Sequence, residues 1–137
     1  QTYMNRISGP LLDRIDIHVE VPSVQYSDLN DPSESESSQK IQKRVETVRT
    51  IQRGRLKSEG IFYNAAMNSI QTKKYCVLNE EARSLLKMAM TELGLSARGY
   101  DKVLKVSRTI ADMAGSETIE AEHIAEAIQY RSLNRQI

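Results

Sequence analysis

Hydrophobic and polar residues alternate with helical spacing along most of the chain. Four segments show this pattern, over about 35–57, 80–93, 96–114 and 120–131, and each therefore predicts an amphipathic helix. Asn79 and Ser96 are well placed to cap the second and third helices, and Gly94 and Gly115 to end them. In the third helix the expected buried face comprises Tyr100, Val103, Leu104, Ser107, Ile110, Ala111 and Ala114. The last helix is expected to bury Ala121, Ile124, Ala127 and Ile128, with Glu122, His123 and Glu126 facing outward.

Near the N-terminus the pattern changes to alternation with a period of two. Gly9-Pro10 indicates a helix start, because proline is pre-organised for the first helical position. The following residues, 15–21, then predict one β-strand that ends at Pro22. Its expected apolar face is Ile15, Ile17, Val19 and Val21, and its polar face is Asp16, His18 and Glu20.

The run 23–38 is rich in serine and acidic residues and is predicted to be a polar linker, because it cannot bury enough surface to order itself. The segment 61–77 predicts one short helix starting near Asn64 and a buried connection around Cys76. The expected fold is therefore mainly α, a small helical bundle preceded by one strand.

Composition adds limits to this picture. The 137 residues are 39% hydrophobic and 27% charged, with a net charge of +1, which is ordinary for one globular domain. A single cysteine excludes an internal disulfide and favours a reducing, cytoplasmic setting. No apolar run approaches the ~20 residues of a membrane span. The chain opens abruptly at Gln1, so we expect it to be part of a longer protein.

Two arginines are candidates for a function. Arg14 lies at the joint between the predicted helical turn and the strand, where a surface ion pair would also explain it. Arg98 lies in the first turn of its helix, where a cation opposes the helix dipole. It shares an outward face with Lys102 and Lys105, so an anionic partner at that end would explain it.

The helix over 35–57 is strongly basic. It carries Lys40, Lys43, Arg44, Arg49, Arg53, Arg55 and Lys57 around an apolar face of Ile41, Val45, Val48, Ile51 and Leu56. Nucleic acid, an acidic surface of a neighbouring subunit or plain solvent would each suit such a face. His18 and His123 lie on separate elements without other ligands nearby, so no metal site is expected.

Two long motifs carry a family resemblance. RISGPLLDRIDIHVEVP at 6–22 resembles the segment after the sensor-1 strand in the magnesium-chelatase-like branch of AAA+ ATPases. LSARGYDKVLKVSRTIADMAGSETIEAEHIAEAIQYR at 95–131 resembles the helical lid of that branch. Both motifs are most similar to those of the bacterial ComM-type relatives of magnesium chelatase subunit I.

The resemblance implies a division of the chain and roles for both arginines. Residues 1–22 would be the C-terminal end of the ATPase core, 23–38 a linker and 39–137 the helical lid. Arg14 would be the arginine finger that acts in trans on a neighbouring subunit's nucleotide. Arg98 would be the sensor-2 arginine at the ATP γ-phosphate, acting in cis or in trans.

The same resemblance implies a ring, expected to be a hexamer of identical subunits, that uses ATP and Mg²⁺. In ComM-type relatives the motor is a DNA helicase that drives branch migration, so DNA is the expected partner. These 137 residues hold no G-x-x-x-x-G-K-S/T loop and no strand ending in paired acids, so alone they should not hydrolyse ATP. The alternative is a helical DNA-binding or protein-interaction module without ATPase activity.

Overall fold

The computed structural model describes residues 6–131 as a helical bundle. The helices are α1 (Gly9–Arg14), α2 (Tyr26–Leu29), α3 (Ser38–Leu56), α4 (Ser69–Tyr75), α5 (Glu80–Leu93), α6 (Ala97–Met113) and α7 (Ala121–Gln129). Two short 3₁₀ turns, Lys57–Glu59 and Asn64–Ala66, lie between α3 and α4. The mainly α class is confirmed. Parts of the predicted core segment and lid, residues 1–5 and 132–137, lie outside the described residues.

The helix boundaries follow local capping chemistry. Side chains of Ser8, Ser37, Asn68, Asn79 and Ser96 accept a backbone N–H from the first turn of α1, α3, α4, α5 and α6. Gly60, Gly94 and Gly115 adopt positive φ after α3, α5 and α6, a conformation that costs other residues energy. The predicted long helices α3, α5 and α6 are therefore confirmed to within a turn, whereas the short helix predicted to start near Asn64 begins at Ser69, after the 3₁₀ turn Asn64–Ala66.

The core lies among α5, α6 and α7. Helix α7 packs against both α5 and α6, and α6 also contacts α1, α3 and α4. A single parallel β-bridge between Leu78 and Ile119 ties the entrance of α5 to the segment before α7. The completely buried aliphatic residues include Leu56, Ala82, Val103, Ala111, Ile119 and Ile124.

The predicted strand over 15–21 is wrong for the described part of the chain. The segment has no strand partner among residues 6–131, and a β-strand needs a neighbouring backbone to form its ladder. The expected division into an apolar and a polar face is also wrong, since His18 is the one buried residue of this segment, at 4% exposure, while Ile17 is 47% and Val19 64% exposed. The backbone N–H of His18 donates to the Tyr130 carbonyl over 2.6 Å, which holds the segment against the end of α7.

Two further expectations need correction. The linker over 23–38 contains one helical turn, α2, although all of its residues are exposed. The apolar face of α3 is buried only at its C-terminal end, at Leu56, while Ile41, Val45 and Ile51 are exposed. The first turns of α3 extend beyond the bundle, so no partner covers that face within residues 6–131.

Candidate functional site

Arg14 is the last residue of α1 and is exposed. Helix α1 begins at Gly9 and Pro10 under the Ser8 cap, and it is anchored by Leu12, which is 2% exposed. A cation at a helix C-terminus interacts favourably with the helix dipole. No carboxylate of residues 6–131 pairs with Arg14, so its guanidinium stands on the surface at the end of an anchored helix.

Arg98 is the second residue of α6 and is also exposed. The Ser96 side chain accepts the Gly99 N–H over 3.0 Å and thereby caps the turn that carries Arg98. Within the described part of the chain, no ion pair joins Arg98 to a carboxylate. The arginine therefore keeps its position against the dipole without local compensation.

A groove of about 590 Å³ opens beside Arg98, between α4 and α6. Lys73, Lys102 and Lys105 also line it. Lys102, however, forms an ion pair with Asp16 at 2.6 Å, and Lys105 forms one with Asp101 at 3.1 Å. The three cations predicted to share one outward face are thus brought together, but only Arg98 among them is unpaired within residues 6–131.

The structure brings the elements of the two candidate arginines into contact. The Ser96 hydroxyl donates to Asp13 Oδ2 over 2.9 Å, so the residue before Arg14 is bonded to the cap of the Arg98 helix. Arg131, which follows α7, lies at the same junction with its Nη2 3.6 Å from Asp13 Oδ1. The sequence contained a capping signal for Ser96, but no signal that Asp13 or Arg131 would meet it.

Arg131 is almost completely buried, at 3% exposure. It donates to the carbonyls of Ile15 at 3.0 Å and Leu12 at 3.4 Å, at the C-terminal end of α1. Burial lowers the pKa of its guanidinium from the ordinary value, while Asp13 and Asp16 act in the opposite direction. His18 Nε2 donates to the same Leu12 carbonyl over 3.1 Å, so two buried side chains hold the end of this helix.

His123 was expected to face outward, and this prediction is wrong. The residue is 3% exposed, and its Nδ1 accepts the Glu120 N–H over 3.0 Å at the start of α7. Ligand atoms of Glu120, Glu122 and His123 lie within 4.8 Å of one another. Nδ1 of His123 is used in capping α7, and its Nε2 lies 3.8 Å from Glu122 Oε1, so the closeness of these three residues follows from the geometry of the helix start.

The basic face of α3 is not uniform. Arg44 pairs with Glu36 at 2.6 Å, and Arg49 lies 5.3 Å from the centre of the Tyr63 ring. The Arg55 side chain points inward, and each of its two terminal nitrogens donates a hydrogen bond to Asp112 at 2.7 Å. Lys40 and Lys43 remain exposed on the first two turns. Arg53 and Lys57 near the end of the helix are also exposed and have no ion pair within residues 6–131, so the cationic surface left for an acidic partner is not confined to one half of the helix.

Sequence patterns also missed a buried polar network between α3 and α6. Asp112 accepts from Arg55, from Asn64 at 3.0 Å and from Arg108 Nε at 3.2 Å. Arg108 in turn donates to the carbonyls of Ser116 and Glu117. Burial lowers the pKa of Arg108 while Asp112 raises it. The network fixes α3 on the C-terminal half of α6, at the end of that helix opposite to Arg98.

Comparison with known proteins shows which family this sequence matches. A family model described as magnesium chelatase, subunit ChlI C-terminal, matches residues 35–131, and one described as magnesium chelatase, subunit ChlI, matches 1–29. The chain is 42% identical over 134 residues to competence protein ComM of Haemophilus influenzae, covering 97% of this chain and 26% of that protein. It is 38% identical over 134 residues to the uncharacterized protein YifB of Salmonella typhimurium, again covering 97% and 26%. The chain thus spans about a quarter of the length of these curated relatives.

Among residues 6–131 no helix combines the length and the apolar character that crossing a bilayer requires.

Proposed function

The chain belongs to the magnesium chelatase subunit ChlI family, a group of AAA+ ATPases, and from that premise we propose that it supplies the cations of a ring ATPase. In this proposal Arg14 is the arginine finger that enters a neighbouring subunit's nucleotide site. Arg98 is the sensor-2 arginine that contacts the γ-phosphate from the lid. Residues 1–22 belong to the ATPase core, 23–38 connect, and 39–137 form the lid.

One observation carries the proposal. Arg14 and Arg98 are both exposed, both lie on capped and anchored helices, and neither pairs with a carboxylate of residues 6–131. A guanidinium offers five donors in a planar fork, which suits phosphate oxygens better than an ammonium does. Surface arginines that served only solubility would not need a rigid platform.

The residues beside Arg98 fit the phosphate end of a nucleotide. Their donors are guanidinium and ammonium groups along the groove between α4 and α6. Mg²⁺ prefers carboxylate oxygens, and Asp101, the carboxylate that lines this groove, already pairs with Lys105. Mg²⁺ would therefore be held by residues other than those that line this groove. ATP supplies the γ-phosphoryl group, and the chain's arginines neutralise charge that develops there.

The partners follow from the family membership and remain part of the proposal. Identical subunits form the ring, with six as the proposed number, because a finger in trans requires a neighbour. DNA is the proposed substrate, remodelled by branch migration, since the chain is similar to competence protein ComM. The exposed Lys40 and Lys43 on α3 are compatible with a phosphate backbone.

A second candidate function rests on that same helix. The N-terminal half of α3 extends beyond the bundle with exposed lysines, which favours a helical module that binds DNA or a protein without hydrolysing ATP. Such a module would bind DNA as the 137-residue chain, with an affinity that falls steeply as salt rises.

The test is ATP turnover by the longer protein that carries this chain and a P-loop, comparing wild type with Arg14→Ala and Arg98→Ala. Arg83→Ala, an exposed arginine on α5, is the matched control. We expect each of the two variants to lose about a hundredfold or more in turnover while still binding nucleotide and assembling. Turnover equal to that of Arg83→Ala would overturn the proposal and leave the binding module.

A further inference from the structure

Helix α1 is fastened to the bundle at one small junction. Asp13 lies at its centre, with Oδ2 accepting from the Ser96 hydroxyl at 2.9 Å and Oδ1 3.6 Å from Arg131 Nη2. Arg131 also donates to the carbonyl of Leu12 in α1 and to that of Ile15, the residue after α1. We name Asp13, Ser96 and Arg131 the junction residues.

Arg131 makes this junction costly to open. A buried guanidinium loses its hydration, and that loss is offset only while its donors are satisfied by partners. Its partners here are two backbone carbonyls and the Asp13 carboxylate, and all three belong to residues 12–15. Moving α1 away would leave Arg131 without them. The exposed pair between Lys102 and Asp16 adds a weaker contact nearby.

Ser96 gives the junction a direct link to α6. Its oxygen accepts the Gly99 N–H and its hydrogen is donated to Asp13, so one hydroxyl both starts the helix and holds α1. Arg98 lies two residues after Ser96, and Arg14 directly follows Asp13. The hydrogen bond between Ser96 and Asp13 therefore connects the segments that carry the two candidate cations.

We propose that Asp13 is a positioning residue that, through Ser96 and Arg131, locks the helix of Arg14 to the first turn of the Arg98 helix. This inference rests on the proposed function of the two arginines. Its consequence is that the finger of a subunit and its own lid move as one body. A change of lid angle then displaces the finger at the neighbouring site, which passes nucleotide state from one subunit to the next.

Substitutions at Ser96 separate this role from helix capping. Asparagine and aspartate both cap helices well, so Ser96→Asn and Ser96→Asp should each preserve α6. Asparagine can still donate from its amide to Asp13, whereas aspartate brings a second carboxylate against it. The two variants also differ in charge at the α6 N-terminus, but the helix dipole favours the aspartate there, so a defect in Ser96→Asp alone points to the junction. Arg131→Lys gives a third variant, since lysine cannot reproduce the forked donors.

The first measurement uses the 137-residue chain with spin labels at Val19→Cys and Met88→Cys, both exposed positions. Cys76, the single native cysteine, is buried and should remain unlabelled. We expect a narrow distance distribution in the otherwise unchanged chain and in Ser96→Asn. Ser96→Asp and Arg131→Lys should broaden it. An unchanged distance distribution in Ser96→Asp would contradict the proposal that the contact of Asp13 with Ser96 holds α1 against α6.

The second measurement is steady-state ATP turnover in the ring. We expect Ser96→Asp to lower kcat by roughly tenfold to a hundredfold with little change in KM, because a misplaced finger affects chemistry and not nucleotide binding. Ser96→Asn should stay close to wild type. Normal kcat in Ser96→Asp beside a collapsed Arg14→Ala overturns the positioning role alone. Normal turnover in Arg14→Ala overturns the proposed function and this role with it.

Discussion

The hydroxyl of Ser96 donates a hydrogen bond to Asp13 over 2.9 Å, joining residues that lie 83 positions apart in the chain. Asp13 belongs to α1 and Ser96 caps α6, so this contact is one of the few that hold the N-terminal segment on the bundle. Ser96 also caps α6 and Asp13 also lies beside Arg131, so a single substitution does not isolate this hydrogen bond. A double-mutant cycle isolates it.

The first prediction concerns that contact. Asp13→Ala, Ser96→Ala and the double variant should give a coupling free energy of about 0.5–1.5 kcal/mol, the usual contribution of a hydrogen bond. Ser96→Ala should lower the free energy of unfolding by about 1 kcal/mol more than Asp13→Ala does, because it also removes the α6 cap. Urea denaturation provides the values. Asp13→Ala combined with Ser84→Ala, an exposed serine on α5, should be additive, and additivity at Ser96 as well would contradict the coupling.

The second prediction concerns the buried network of α3 and α6. Asp112→Ala should lower the free energy of unfolding by about 3–5 kcal/mol, because Arg55 and Arg108 would keep their charges without the carboxylate. Glu36→Ala is the control, since its pair with Arg44 lies at the surface and should contribute about 0–1 kcal/mol.

Urea midpoints measure both changes. If Asp112→Ala does not fold, Asp112→Asn keeps the shape and part of the hydrogen bonding and should lie between the alanine variant and wild type. Equal costs for Asp112→Ala and Glu36→Ala would show that the network contributes no more than a surface pair.

The third prediction concerns Cys76 and alkaline pH. Burial raises the pKa of the Cys76 thiol from 9.0 to about 12, because the thiolate would lose its hydration. The unfolded chain loses this proton first, so the stabilisation is complete below pH 9 and declines as pH rises towards 12. Folded protein at pH 8 should react slowly with thiol reagents, and unfolding in urea should accelerate the reaction by orders of magnitude.

A matched variant assigns the alkaline loss to this residue. Cys76→Ala should show a shallower fall of unfolding free energy between pH 9 and pH 11 than wild type does. Parallel curves for the two proteins would mean that other groups cause the alkaline transition. Rapid labelling of the folded protein at pH 8 would contradict the raised pKa.

Local patterns predicted the helices well. Helices α5, α6 and α7 each combine an apolar stripe of helical period with a cap or an acidic first turn, and both signals lie within the element itself. Intrinsic capping and amphipathicity do not depend on distant partners. The exposed position of Arg98 followed from the same reasoning, whereas that of Arg14 was inferred from its place at the end of the predicted helical turn. Their roles remain predictions.

The misplaced residues share a different property. His18, Arg108, Asp112, His123 and Arg131 are polar and were either expected outside or left unassigned, yet all are buried. Each has at least one hydrogen-bond partner, as buried polar side chains generally do, although His18 Nδ1 and Arg131 Nε have none among residues 6–131. For Arg131 the Ile15 carbonyl lies 116 positions away, and for Asp112 the guanidinium of Arg55 lies 57 away.

The sequence by itself determined the helical class, the limits of the long helices and the family, because these depend on neighbouring residues and on two long motifs. Only the tertiary structure decided that residues 15–21 pack as a single extended segment with His18 inside, since a strand requires a partner backbone. It also decided that Asp13 meets Ser96. That contact depends on how α1, α6 and the end of α7 pack together, and no local period contains this information.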